Sequence, residues 1–119
     1  MSTPLPPLED TDMIIDSMVK LKDDGSNFWS WKIRMNLVFQ MGGVLQVVEG
    51  KEKAPTEGKA ERHLWEEKCF RITYHWGQSM SPSQFEALVQ LSPNEAWNEL
   101  KRKFDWSKEE TYSFVFNSI

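Results

Sequence analysis

Hydrophobic residues recur with a helical period along this chain, most clearly in the stretch FWSWKIRMNLVFQM at residues 28–41. At 100° per residue, its apolar side chains form two stripes on nearly opposite sides of one helix. The first stripe consists of Phe28, Trp31, Met35, Val38 and Phe39. The second consists of Trp29, Ile33, Leu37 and Met41. A helix that is apolar on two faces is either central in its domain or shared with a partner. The pattern leaves both possibilities open.

Two later segments have the same period. A long helix over about 59–79 carries one apolar stripe, made of Trp65, Cys69, Ile72, Thr73, Trp76 and Met80. His63, Phe70 and Tyr74 form a smaller group off that stripe, which is either a docking patch or covered by a neighbouring helix. A further helix places Ala96, Trp97, Leu100 and Phe104 on its core face. The predicted core is therefore Phe28, Trp31, Met35, Trp65, Cys69, Ile72, Trp76, Trp97, Leu100 and Phe104.

Helix boundaries are marked by serine caps and glycines. The stretches SPSQ at 81, SPNE at 92 and SKEE at 107 each place Gln or Glu three residues after Ser, which is the pattern of a capping box. Ser26 or Asn27 is predicted to cap the helix that starts near 27, and Gly42 and Gly43 are predicted to end it.

The remaining segments complete the predicted organisation. VLQVVEG at 44–50 fits a helical turn or a strand fragment, and TDMIIDSMVKL at 11–21 fits a short helix or an extended segment. No strand alternation of useful length is present. The prediction is an all-α bundle of about five helices over residues 21–119, preceded by a flexible acidic, Pro-rich arm at 1–20.

Composition and charge limit the classes of function that this chain can have. The chain has 119 residues, six tryptophans and a net charge of −4, which fits one globular domain with an aromatic core. Six of its 18 acidic residues lie in the first 24 positions, and the rest of the chain is neutral. The basic trio Lys101, Arg102 and Lys103 falls in the last turn of a predicted helix, where it suits the helix dipole, so nucleic-acid binding is not expected. The chain has a single cysteine, its start lacks signal-peptide features, and it contains no long apolar run. These features predict an intracellular, cytoplasmic protein that does not engage a membrane.

Catalytic and metal-binding patterns are weak. His63, Cys69 and His75 are spaced by six residues and point 120° apart around one helix, so they cannot converge on one ion. Cys69 is predicted to be a buried apolar residue and not a nucleophile. There is no glycine loop with phosphate-binding spacing. The chain is predicted not to be an enzyme and to hold no cofactor.

The order of several short motifs resembles the opening of copia-type retrotransposon Gag proteins, in the region of their capsid N-terminal domain. The stretches that carry the resemblance are KLKDDGSNFWSWKIRMNLVF, VLQVVEGKEKAP and LSPNEAWNELKRKF. The matching positions are Leu21, Gly25, Ser26, Asn27, Phe28, Trp31, Met35, Val47, Val48, Gly50, Pro55, Ala96, Trp97, Leu100 and Phe104, with Trp65, Cys69 and Ile72 in the middle helix. Leu45 replaces a Trp that is usual in the family, and the family's second capsid lobe and zinc knuckle are missing.

The resemblance implies a retroviral-capsid-like helical domain that makes protein–protein contacts, from a Gag or a host gene derived from one. The expected partners are a second copy or a full-length Gag, with short apolar or Pro-rich peptides as an alternative. A truncated Gag that interferes with assembly is a further possibility. The residues predicted to mediate association are Trp29, Ile33, Leu37, Phe70, Tyr74, Phe114 and Phe116.

Overall fold

The computed structural model describes residues 5–105, which fold into an all-α bundle. The helices are α1 (Leu8–Ser17), α2 (Phe28–Met41), α3 (Leu45–Val48), α4 (Lys59–Ser79), α5 (Pro82–Leu88) and α6 (Pro93–Leu100), followed by a π-helical segment (Lys101–Asp105). The prediction of an all-α bundle of about five helices is therefore confirmed. The ambiguous stretch VLQVVEG forms the single turn α3, and no strand occurs among the described residues.

A cluster of aromatic rings forms the centre of the bundle. Trp76 of α4 packs against both Trp31 of α2 and Trp97 of α6, with ring centroids 5.9 Å and 5.6 Å away, and Trp31 and Trp97 also contact each other at 6.2 Å. The edge of Phe39 meets the Trp76 ring at 4.9 Å, an arrangement that the ring quadrupoles favour. The indole Nε1 of Trp31 donates to the Ser79 carbonyl at 3.0 Å, so its one polar group is satisfied although the side chain is buried. These contacts join α2, α4 and α6.

The turn before α2 is built by residues of the Gly-Ser-Asn motif. Gly25 has φ +71°, which L side chains rarely adopt, and a Cβ there would overlap the ring of Phe104. Asn27 occupies the N-cap position but makes no capping bond to α2. Its Oδ1 instead accepts from the Lys22 amide, and its Nδ2 donates to the Lys20 carbonyl, both at 2.9 Å. Asn27 therefore lies at the predicted N-cap position, but the prediction that it caps α2 is wrong, because its side chain binds the preceding loop.

That loop is also tied to the end of α4. Leu21 forms a parallel bridge with Met80, and its amide donates to the Ser79 carbonyl at 2.8 Å. The same carbonyl accepts from Trp31, so one backbone oxygen joins the loop, α2 and α4. The residues Leu21, Gly25, Asn27 and Trp31 thus meet at one structural junction.

Two of the three predicted capping boxes lie in the described residues. At α6 the box is reciprocal: Ser92 Oγ accepts from the Glu95 amide, and Glu95 Oε1 accepts from the Ser92 amide, both at 3.3 Å. At α5 only half of it forms, because Ser81 Oγ accepts from the Gln84 amide while Gln84 Nε2 donates to the Lys22 carbonyl. The third, at Ser107, lies outside the described residues.

The N-terminal segment differs from the predicted separate arm. Residues 8–17 form helix α1, whose inward side chains Thr11 and Ile15 are buried against α2 and α4. Ahead of α1, Arg71 of α4 donates through Nη1 to the Pro6 carbonyl and also to that of Gly42, the latter at 3.3 Å. The boundary at residue 20 is therefore wrong, because this segment supplies apolar side chains to the same core.

Burial of the predicted core residues follows the helical stripes with two exceptions. Phe28, Trp31, Met35, Ile72, Trp76, Trp97, Leu100 and Phe104 are buried. Trp65 and Cys69 are only half-buried and pack against the edge of the core. Trp65 lies in the N-terminal half of α4 and Cys69 at its midpoint, and both precede the buried residues of this helix. The prediction that Trp65 and Cys69 belong to the core is therefore correct only in part, because they lie at its edge.

Candidate interaction surface

The two apolar faces of α2 differ in burial. The stripe of Phe28, Trp31, Met35, Val38 and Phe39 is buried throughout. The opposite stripe, here called the α2 outer stripe, consists of Trp29, Ile33, Leu37 and Met41, whose side chains are 40–55% exposed. One face of α2 therefore completes the core, and the other is presented to solvent.

The α2 outer stripe is continuous along the helix. Its four residues are spaced by four positions, so each lies about one turn beyond the last and is rotated by about 40° around the helix axis. From Trp29 to Met41 the stripe extends for about 18 Å at 1.5 Å per residue. Single exposed apolar residues are normal on a protein surface, whereas a row of this length is typical of a contact surface.

The two charged residues of α2, Lys32 and Arg34, are both positive. Lys32 places Nζ 4.4 Å from the centre of the Trp29 ring, a cation–π arrangement that covers part of the indole face. Arg34 is exposed on the same helix. The sequence of α2 contains no Asp or Glu. The surface therefore combines large apolar side chains with positive charge.

A second exposed group lies on α4. Phe70 is 77% exposed and Tyr74 is 46% exposed, and they are one turn apart. With Leu5, Leu8 and Arg71 they line an open cleft of about 440 Å³. Both residues were predicted to mediate association, and the structure leaves both accessible. His63, which belonged to the same sequence group, is exposed nearer the start of α4.

The other predicted interaction residues, Phe114 and Phe116, lie outside the described residues. Among those described, the exposed Met13 on α1 was missed, although 72% of its surface is accessible. Its exposure could not be predicted, because the pattern at residues 11–21 fits either a helix or an extended segment. Once α1 is known to be helical, the 100° projection places Met13 opposite the buried Thr11 and Ile15.

Cys69, His63 and His75, the histidines and cysteine of the chain, lie apart from one another on α4. Burial raises the pKa of the Cys69 thiol, and the nearby carboxylates of Glu52 and Glu66 raise it further, which disfavours the nucleophilic thiolate. His63 is exposed, Cys69 is half-buried and His75 is buried, so the three do not meet. Within residues 5–105 no cluster of His, Cys, Asp and Glu could hold a metal ion.

Buried His75 belongs to a structural chain of hydrogen bonds. Its Nδ1 is 3.0 Å from Gln78 Oε1, which is an acceptor, so this nitrogen carries the ring proton. Gln78 Nε2 in turn donates to Asp12 Oδ1 at 3.1 Å, which links α4 to α1. His75 Nε2 is buried without a hydrogen-bond partner. The surroundings of His75 therefore favour the neutral form of its imidazole ring.

The stability of the fold is expected to decrease as the pH falls through the range in which an unfolded histidine gains a proton. Burial lowers the pKa of His75 below its ordinary 6.5, so below that pH the unfolded chain binds more protons than the folded one. The free energy of unfolding should fall from about pH 6.5 downward until the folded imidazole is also protonated.

Urea unfolding at about pH 7.5 and about pH 5.5 measures this change. In a His75→Gln chain the decrease between the two values should be smaller than in the wild type. A His63→Gln chain is the matched control, since that side chain is exposed, and it should retain the wild-type decrease. An unchanged decrease in His75→Gln would assign the pH dependence to other groups.

No helix within residues 5–105 has both the length and the apolar character needed to span a lipid bilayer. No family model, curated protein or solved structure matches the chain.

Proposed function

We propose that this chain is a protein–protein interaction domain that associates with copies of itself through the α2 outer stripe. The observation that carries the proposal is the exposure of Trp29, Ile33 and Leu37 on a helix whose opposite face is already fully buried. Within residues 5–105 this second face stays partly open to solvent. Covering it would remove apolar area from water, at roughly 25 cal/mol per Å².

Several features favour a contact surface over a reaction centre. The thiol of Cys69 is disfavoured as a nucleophile, and His75 serves a hydrogen-bond chain between two helices. The exposed side chains of α1 and α2 include the apolar outer stripe, Arg34 and the acidic residues of α1. A surface of this composition binds other proteins by burial and charge complementarity.

The biological form of the association is proposed from the sequence. The ordered motifs from Leu21 to Phe104 resemble the capsid N-terminal region of copia-type Gag proteins. Assembly into a capsid-like particle, by a Gag or a host protein derived from one, is therefore the proposed role. The partner would be a second copy or a full-length Gag, and a truncated form could also act by interfering with assembly.

Solution mass as a function of concentration tests the proposal. We expect light scattering after size exclusion to give a mass that rises from monomer toward dimer or larger species between about 1 µM and about 1 mM, the range of weak apolar contacts. A monomer mass over the whole range would contradict self-association through the outer stripe.

A second candidate function is that of a peptide-binding adaptor, and one observation favours it. The segment at Leu5 and Pro6 lies along the cleft beside Phe70 and Tyr74, with its Pro6 carbonyl held by Arg71. An extended peptide from another protein could use the same contacts. Titration with the peptide TPLPPLED should then give saturable one-to-one binding, and absence of saturation would exclude this use of the cleft.

A further inference from the structure

A groove of about 300 Å³ lies between α5 and α6, here called the α5–α6 groove. Its apolar lining comes from α5, the turn after it, α6 and the π-helical segment, and consists of Ala87, Leu88, Leu91, Leu100 and Phe104. Leu88, Leu100 and Phe104 belong to the buried core, whereas Ala87 and Leu91 are exposed. The apolar core of the bundle therefore reaches the surface at this groove.

The polar side chains that line the groove are engaged within the chain. Glu99 pairs with Arg102, and Gln84 Nε2 donates to the Lys22 carbonyl at 3.2 Å. Lys103 Nζ lies 5.1 Å from the centre of an aromatic ring of the lining. What the groove offers to a ligand is therefore mainly apolar area, and this favours an apolar or aromatic ligand.

The chain continues from this groove into a segment rich in aromatic residues. Phe104 lines the groove, and the described residues end at the next position. Residues 106–119 lie outside the described residues, and their sequence is WSKEETYSFVFNSI. Tyr112, Phe114 and Phe116 fall within five positions of one another in this sequence. A segment of the chemistry that the groove favours therefore follows the groove directly in the chain.

We infer that residues 111–116 bind the α5–α6 groove of the same chain. Their aromatic side chains cover Ala87 and Leu91, and the contact is stabilised by the removal of apolar area from water. The inference goes beyond the proposed function and does not depend on self-association. It assigns Phe114 and Phe116, which the sequence predicted to mediate association, to a contact within one chain.

Covalent connection favours this occupant over a second copy of the chain or another protein. Residues 106–110 provide a linker of five residues, which spans about 17 Å when it is extended. A segment on a short linker reaches an effective concentration in the millimolar range. A second copy at about 10 µM competes against a concentration that is about 100-fold higher. The segment of the same chain therefore occupies the groove first.

Nuclear Overhauser effects locate the segment directly. In the uniformly ¹³C-labelled full chain, cross-peaks should connect the rings of Tyr112, Phe114 or Phe116 to the methyl groups of Ala87 or Leu91. In a mixture of labelled and unlabelled chains, an isotope-filtered spectrum shows only contacts between copies, and these cross-peaks should be missing from it. The inference is overturned if the labelled chain lacks the cross-peaks, or if the filtered spectrum contains them.

Cleavage by chymotrypsin is a second test and uses matched variants. A bound segment is cleaved only while it is released, so the cleavage rate follows the released fraction. Leu91→Asp places a charge in the groove and should accelerate cleavage after Phe114 and Phe116 by at least about threefold in dilute protein. Val89→Asp is the control, because Val89 is 47% exposed in the same turn but lies outside the set of described residues that line the groove. Its cleavage rate should stay within about 1.5-fold of the wild type.

Circular dichroism shows whether each variant is folded. If Leu91→Asp does not fold, Ala87→Glu takes its place, because Ala87 is exposed on α5 and lines the same groove. Glutamate is a good helix former, so this change introduces the charge with little cost to the helix. The same acceleration of at least about threefold is expected. Equal cleavage rates in the wild type and the folded groove variant would overturn the inference.

Discussion

Trp31→Ala is expected to destabilise the domain by about 3–5 kcal/mol, the usual cost of removing a large buried aromatic side chain. The indole lies between the rings of Trp76 and Phe28 and is 1% exposed. Its loss leaves a cavity at the meeting point of α2, α4 and α6, and also removes the hydrogen bond to the Ser79 carbonyl. Since whole domains are stable by about 5–15 kcal/mol, this variant should unfold at much lower urea concentration or fail to fold.

Trp29→Ala provides the matched control two residues away. It removes the same side chain from the same helix, but Trp29 is 48% exposed and belongs to the outer stripe. Its unfolding free energy should lie within about 1 kcal/mol of the wild type, measured by urea unfolding of dilute protein. Similar destabilisation by the two substitutions would show that the outer stripe is also packed within the folded monomer.

The long helices could be predicted from the sequence because their pattern is redundant. In α2 and α4 the apolar positions repeat over about four turns or more, and glycines mark the end of α2 and the start of α4. The prediction of residues 59–79 for the long helix therefore agrees with α4. Helix α1 could not be assigned, because its apolar residues at 13–15 are consecutive and fit either type of structure. Its helical conformation depends on packing against α2 and α4, which a local pattern does not contain.

The candidate surface was only partly accessible to sequence reasoning. Periodicity identifies the α2 outer stripe and the pair Phe70 and Tyr74 as apolar, but it does not reveal how many neighbouring helices cover a given face. The same limit applies to Trp65 and Cys69, which continue the core stripe of α4 but lie at its margin. The side-chain bonds of Asn27 and Gln84 reach the loop at 20–22 in place of their predicted caps. Those partners are five to 62 residues away in the chain, beyond the range of a capping motif.

Leu37→Asp is expected to abolish self-association and to leave the monomer folded. Leu37 lies in the middle of the α2 outer stripe and is 49% exposed, so a carboxylate at this position remains in water in the monomer. In the complex the same charge would be buried against apolar side chains, which costs several kcal/mol unless it is paired. The dissociation constant should therefore rise by at least about 100-fold, equivalent to about 2.7 kcal/mol. Light scattering should give the monomer mass at concentrations where the wild type associates.

Val38→Asp, at the next residue, separates loss of the interface from loss of the fold. Val38 is fully buried on the core stripe, so a carboxylate there must be desolvated in the monomer itself, and this chain should lose its cooperative urea unfolding transition. The two adjacent substitutions should differ because Val38 lies on the core face of α2 and Leu37 lies on its outer stripe. If Leu37→Asp also unfolds, the outer stripe contributes to the core in solution. If it folds and still associates, the contact surface lies elsewhere, and the cleft at Phe70 and Tyr74 becomes the next surface to test by substitution.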